Sequence, residues 1–315
     1  MAVTRHPLLA SAALLLGALF WGALVPMMWT LLQVYDVWFL GMLRYVVALP
    51  LLLLFALLWA RPGLHRPLPW FRSAQLAVPM AVFAVLFNVG IGNSHPVTAS
   101  IVLMCGPLVY TLTGRIMTAA PLPRGFGVAI GLTILGGIVV VLGNRAASGQ
   151  GFGLQGGEPL LVAAQTVWGW YSIRAQQWLG NRGQLVLSLL PTAVATVYLA
   201  AIWLALLALG VVALPQRMPS TQEILFLLWS GVTGVALAVV LWNYGVSRLA
   251  LPVASLHNNA IPVFSALAAT AIGVVPSWQQ LFGGAIVLSG VAYLQIRQLL
   301  VLRATRRHDV AASIR

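Results

Sequence analysis

Apolar stretches of roughly twenty residues, divided by short polar, glycine-rich or proline-rich breaks, run the whole length of the chain. A bilayer core of ~30 Å needs about twenty helical residues at ~1.5 Å each. Ten stretches fit: 8–32, 36–60, 72–92, 97–117, 125–143, 157–178, 185–209, 221–244, 253–274 and 277–300. The breaks are turn-forming, as in Arg61-Pro62-Gly63 and Pro121-Leu122-Pro123-Arg124, and a Gly/Ser/Gln-rich segment precedes the sixth stretch. The pattern predicts an all-α polytopic membrane protein with ten transmembrane helices. It divides into five-span units at 1–148 and 157–300, a linker at 149–156 and a basic tail at 301–315. The first stretch is too long for a signal-peptide core and lacks a small-residue cleavage site, so it reads as a retained span.

Composition removes the soluble alternatives. Of 315 residues 61% are apolar and 7% charged, with a mean hydropathy of +0.96, whereas soluble domains carry about 25% charged residues. Seventeen arginines and no lysine face Asp36, Glu158, Glu223 and Asp309, a net charge of +13. An excess of this size is also seen in nucleic-acid-binding proteins, but its distribution argues for topology. With the N-terminus inside, fourteen arginines fall in inward segments, two (Arg145 and Arg217) in outward loops, and Arg44 within the second span. The positive-inside rule then puts both termini in the cytoplasm, and no nucleic-acid partner is expected. The single cysteine, Cys105, permits no intrachain disulfide.

The two halves resemble each other. Shifted by 155, Asn88 and Gly90 meet Asn243 and Gly245, Ala99-Ser100 meets Ala254-Ser255, and Pro107 meets Pro262. Shifted by 153, Gly131, Leu135 and Gly137 meet Gly284, Leu288 and Gly290; shifted by 147, Trp21-Gly22 meets Trp168-Gly169. Units with an odd number of spans must lie in opposite orientations. Two inverted five-helix repeats are the architecture of alternating-access transporters, with substrate near the midplane between repeats.

On these residues, with Arg44 and the glycine-rich fifth and tenth spans, the whole chain resembles the drug/metabolite transporter superfamily, EamA type. Overall pattern and midplane Trp168 make it most similar to YddG-type exporters of aromatic and other amino acids. The resemblance implies amino acid export across a bacterial inner membrane, and marks Arg44 as a family feature with a structural role. Many EamA members carry a Glu after the fourth and ninth spans. Here those places read Met117-Thr118-Ala119-Ala120 and Ile272-Gly273-Val274-Val275, so no role of that Glu carries over.

Pro107 and Pro262 fall mid-span, where a proline frees the carbonyl four residues earlier, that of Leu103 and of Asn258. Freed carbonyls at membrane depth line a watery cavity or a packed kink. Trp21 and Trp168 are also mid-span, away from the interfaces Trp prefers. Gln165, Trp168, Ser172 and Gln176 share one helical face, pointing into the bundle as cavity wall or as interhelical bonds. Trp21, Leu103, Trp168, Tyr171 and Asn258 are therefore the expected cavity residues. Asn88, Asn243 and His257 are expected to gate its mouths, with helix bridging as the plainer role. The Gly127–Gly131 pair is a GxxxG pattern, suited to packing within the monomer or to dimerisation.

The absences narrow the chemistry. No span contains a central carboxylate, which argues against carboxylate-based proton antiport, and Arg44 alone is thin provision for a phosphorylated substrate. The five histidines are scattered and form no metal or catalytic motif, so neither an enzyme nor a cofactor is expected. A neutral or zwitterionic amino acid fits best. Export of other small metabolites or drugs, or flipping of a lipid-linked substrate, stays open, as does oligomeric state, with a monomer as default.

Overall fold

The computed structural model describes residues 7–60, 64, 67–119, 122, 124–148 and 156–313. The expected linker, apart from Gly156, lies outside them, as do Arg61, Pro62, Gly63, Pro121 and Pro123. The described residues form helices joined by short turns and loops, with no strand among them. They are α1 (Pro7–Leu32), α2 (Val37–Trp59), α3 (Trp70–Gly92), α4 (Pro96–Met104), α5 (Gly106–Thr118), α6 (Phe126–Ser148) and α7 (Glu158–Leu179). Then follow α8 (Gln184–Ala208), α9 (Thr221–Leu228), a π-helical segment (Trp229–Leu237), α10 (Ala238–Ala254), a 3-10 segment (Ser255–Ala260), α11 (Ile261–Ala271) and α12 (Trp278–Ser313).

Local chemistry sets the boundaries. Asp36 caps α2 by accepting the Trp38 and Phe39 amides at 2.9 and 2.8 Å, and Ser220 with Glu223 forms a capping box on α9. His95 caps α4 through Nδ1, which accepts the Val97 amide at 3.3 Å. Gly183, at φ 85°, makes the reversal into α8 that a side chain would strain.

Among the described residues five helical runs are long and apolar enough to cross a membrane: Leu8–Leu32, Val37–Trp59, Trp70–Gly92, Gln184–Ala208 and Thr221–Leu249. A sixth arises if α4 and α5, bent by 44° at Cys105, cross together. Large apolar side chains such as Leu53, Leu54, Leu57 and Leu58 on α2, and Ile134, Leu135 and Ile138 on α6, point outwards and are exposed. An apolar exterior of this extent needs a lipid surround. Polar side chains such as Asn88, Gln165, Ser172, Ser188 and Asn243 are buried instead.

Within the bundle α1 packs on α10 and α11, α7 on α3 and α5, α2 on α8, and α6 along α12. Glycines allow the closest approaches. A Cβ on Gly136 would stand 2.6 Å from the Gly283 carbonyl oxygen, and one on Gly290 2.9 Å from that of Ala129.

Three sequence expectations change. Pro107 and Pro262 do not kink continuous helices: each stands in the first turn of a new one, α5 and α11, where a missing amide costs nothing. The breaks precede them, at Cys105 and through the 3-10 segment. A Cβ on Gly127 or Gly131 would meet nothing within 4 Å among the described residues, so the close approach on α6 is made by Gly136 instead. The eighth expected span contains nine π-helical residues, a rare geometry that recurs at functional sites.

Candidate functional site: an aromatic cavity and a polar plug

The helices leave a cavity of about 60 Å³ at their centre. α1 contributes Trp21 and Leu24, α2 Arg44 and Tyr45, and α3 Phe83, Ala84 and Phe87. The broken α4–α5 unit adds Leu103 and Tyr110, and α7 adds Gln165 and Trp168. The π segment, the start of α10, the 3-10 segment and α11 complete the wall with Gly234, Val235, Val239, Asn258 and Ile261. Ligand pockets are typically about 300–1,000 Å³, so a guest of amino acid size requires the walls to part.

The wall is built around tryptophan. Trp21 meets Trp168 edge-on at 6.0 Å between centroids and Trp242 at 5.6 Å. Trp168 in turn meets Phe83 at 4.9 Å. Such pairs add about 0.5–1.5 kcal/mol each beyond burial. Trp21 Nε1 donates to the Gly234 carbonyl at 3.0 Å, which ties α1 to the π segment. Gly106 lets Gln165 approach the α4–α5 break, since a Cβ there would stand 2.7 Å from Gln165 Oε1. Gln165 Nε2 donates to the Val102 carbonyl at 3.0 Å.

A second hollow of about 440 Å³ lies beside the α7–α8 connection, bordered by Ser172, Gln176, Gly180, Gln184, Val246 and Ser247 among others. Between the two spaces sits a hydrogen-bonded plug. Trp242 Nε1 donates to Ser172 Oγ at 2.9 Å. Asn243 Nδ2 donates to Ser188 Oγ at 2.9 Å and to the Tyr171 hydroxyl at 3.4 Å. Gln176 Nε2 donates to the Asn243 carbonyl at 3.0 Å. The polar face read on α7 thus serves both spaces, Gln165 and Trp168 bordering the cavity and Ser172 and Gln176 the second hollow.

Another polar cluster joins α2 and α3. Arg44 Nη1 donates to Asn88 Oδ1 at 3.1 Å, and Asn88 Nδ2 donates to the Val37 carbonyl at 3.0 Å. A surface clasp joins the α1–α2 and α8–α9 connections to the first turn of α9: Glu223 accepts from Tyr35 at 3.1 Å and pairs with Arg217 at 2.5 Å. Burial and the Glu223 bond push the Tyr35 hydroxyl above its ordinary pKa.

Of the residues nominated from sequence, Trp21, Leu103, Trp168 and Asn258 border the cavity. Tyr171 does not; it backs Trp168 at 4.9 Å between centroids and joins the plug. The carbonyl Gln165 takes up is Val102's rather than Leu103's, and Asn258's accepts the Ile261 amide. Both differ from the expected freed carbonyls because the helices break before the prolines. Asn88 and Asn243 lie in separate buried clusters. His257 bonds within its own turn, with Nδ1 3.2 Å from the Ala254 carbonyl oxygen. Sequence reading missed Phe83, Phe87, Tyr110 and Tyr45. A signal existed for Phe87: it aligns with Trp242 in the 155-residue repeat register.

The fold and the family have counterparts among known proteins. A solved protein structure superposes on 94% of this chain and 98% of its own with a TM-score of 0.66, at 20% sequence identity, which supports a shared fold. A protein of Bacillus subtilis (strain 168) named "Uncharacterized transporter YyaM" is 23% identical over 215 residues, 66% of this chain and 67% of that one. The EamA-like transporter family matches residues 8–142 and 155–295. An apolar-clad helical bundle around a buried aromatic cavity is thus a multi-pass membrane protein, and the chain belongs to the EamA-like transporter family.

Proposed function

We propose that the protein exports amino acids, chiefly aromatic and other neutral ones, across a bacterial inner membrane by alternating access. The observation that carries this reading is the cavity itself: an aromatic cage with few polar groups, separated from a second hollow by a plug of neutral side chains. A flat apolar side chain suits the tryptophan faces. A neutral plug can open without separating buried charges.

The architecture proposed is ten spans in two inverted five-helix repeats, 1–148 and 157–300, with both termini cytoplasmic. Helix contacts support it. A Cβ on Gly90 would meet Leu161, and one on Gly245 would meet Leu14; the repeat shifts of 155 and 147 relate one pair to the other. Likewise Gly169 faces Tyr110 and Gly22 faces Ser265, again partners under those shifts. The arginine-rich side, which holds Arg72 over the Trp178 ring at 4.6 Å, is then the inner one. The plug closes the cavity towards the cytoplasm, and the Arg44–Asn88 cluster lies towards the outer mouth.

Flux into proteoliposomes tests this. Labelled phenylalanine and tryptophan are expected to move saturably without a proton gradient, and Trp168→Ala is expected to cut their flux at least tenfold. Movement of a cationic dye or a nucleotide sugar in place of the amino acids would overturn the substrate.

A further inference from the structure

Arg44 is a charged side chain in a place that gives charge no ordinary support. It lies within α2, is 4% exposed and borders the aromatic cavity. One of its five N–H donors reaches Asn88, at 3.1 Å. Its Nε is buried with no hydrogen-bond partner. The guanidinium carbon sits 5.6 Å from the centre of the Phe87 ring, a contact that lessens the cost of burial without neutralising the charge.

Among the described residues no carboxylate is paired with it. Among the described residues the ion pair is Arg217–Glu223, Asp36 caps the start of α2, and Glu158 stands at the start of α7, its Oε2 accepting the Gly156 amide at 3.2 Å. None of these borders the cavity. A buried cation without a counter-charge is costly, and a guanidinium fork with free donors is shaped for a planar carboxylate. The nearby polar groups are neutral and largely engaged: the Tyr45 hydroxyl donates to the Met80 carbonyl at 3.3 Å. Gln165 Oε1 is a buried acceptor without a partner, so it can receive a substrate N–H or O–H, but it carries no charge with which to demand an ammonium.

We infer that Arg44 anchors the substrate's carboxylate, and that the cavity takes aromatic monocarboxylates as a class, with the amino group dispensable. Amino acids are the zwitterionic members of that class. The ring lies among Trp21, Trp168 and Phe83, and the carboxylate completes the charge balance of the buried guanidinium. Amines that lack a carboxylate add a second cation and are rejected.

The inference rests on the transport reading above, and two readouts separate the fates of the two. The first is competition against labelled phenylalanine flux in proteoliposomes. The competitors are hydrocinnamate, which is phenylalanine without its amino group, and phenethylamine, which is phenylalanine without its carboxylate. Hydrocinnamate is expected to compete at least as well as unlabelled phenylalanine, and phenethylamine about 30-fold more weakly, which is about 2 kcal/mol. The second is tryptophan fluorescence of the purified protein titrated with hydrocinnamate, which reads binding whether or not flux occurs. Arg44→Gln is expected to abolish the saturable change, and Arg44→Lys, which keeps the charge and loses the fork, to weaken it about tenfold. Saturable hydrocinnamate binding that needs Arg44, without phenylalanine flux, would sustain the carboxylate site and refute amino acid transport. Phenethylamine competing as well as hydrocinnamate, no hydrocinnamate binding to the wild-type protein, or a folded Arg44→Gln protein that binds like wild type would each overturn the inference.

Discussion

At the scale of single residues, buried polar groups carry most of the information. His95 shows how a polar side chain can serve structure alone. Its Nδ1 accepts the Val97 amide and lies 3.1 Å from Gln280 Nε2, so the cap requires the neutral ring with its proton on Nε2. Burial lowers its pKa below the ordinary value of 6.5. The unfolded chain therefore takes up a proton first as pH falls, and stability present above about pH 6.5 is lost below it. The thermal midpoint in detergent should drop on acidification from pH 7 to 5, and the His95→Asn protein, still able to cap, should show a flatter profile. An unchanged slope in that variant would remove His95 as the cause. Asn88 and Asn243 stand at matching repeat positions, yet one holds a guanidinium and the other a serine and a tyrosine. Their pairing was legible from the repeat register; their different partners were not, because those come from α2, α7 and α8.

At the scale of elements, helices were easy to read and their interruptions were not. Hydropathy gives 36–60 for what is observed as Val37–Trp59, since a long apolar run bounded by Asp36 and Arg61-Pro62 leaves little choice. Tertiary contacts take up carbonyls at both interruptions: Gln165 takes that of Val102 before the α4–α5 break, and Trp21 takes that of Gly234 in the π segment. No local propensity encodes either bond. α6 makes the same point about glycine. Sequence spacing favours Gly127 and Gly131, whereas the observed close approach uses Gly136 and Gly290. Leucine at Gly136 or Gly290 is expected to cost at least about 1–3 kcal/mol through overpacking, read as a lower thermal midpoint in detergent. Leucine at Gly127 or Gly131 should be near neutral, and an equal loss there would mean that their face is covered in the native protein.

At the scale of the whole molecule, the arrangement is an aromatic cage between two polar clusters, with a hollow beyond one of them. The cavity is smaller than an aromatic amino acid needs, so under the transport proposed above helices must move rather than a fixed pore be threaded, and the two clusters are the gates of that proposal. Trp21 and Trp168 were legible in the sequence because midplane tryptophan is unusual and the pair recurs at the repeat shift. Phe83, Tyr110 and the Arg44 environment were not, because an aromatic or basic residue in an apolar run looks the same whether it faces lipid, a neighbour or a cavity. The most direct test places one cysteine at Ala84, a small cavity-wall residue, after Cys105→Ala, and follows its reaction with a membrane-impermeant maleimide from each side of oriented vesicles. The account predicts reaction from both sides, each slowed severalfold by saturating phenylalanine. Reaction from one side only, unaffected by phenylalanine, would contradict a substrate cavity with alternating access.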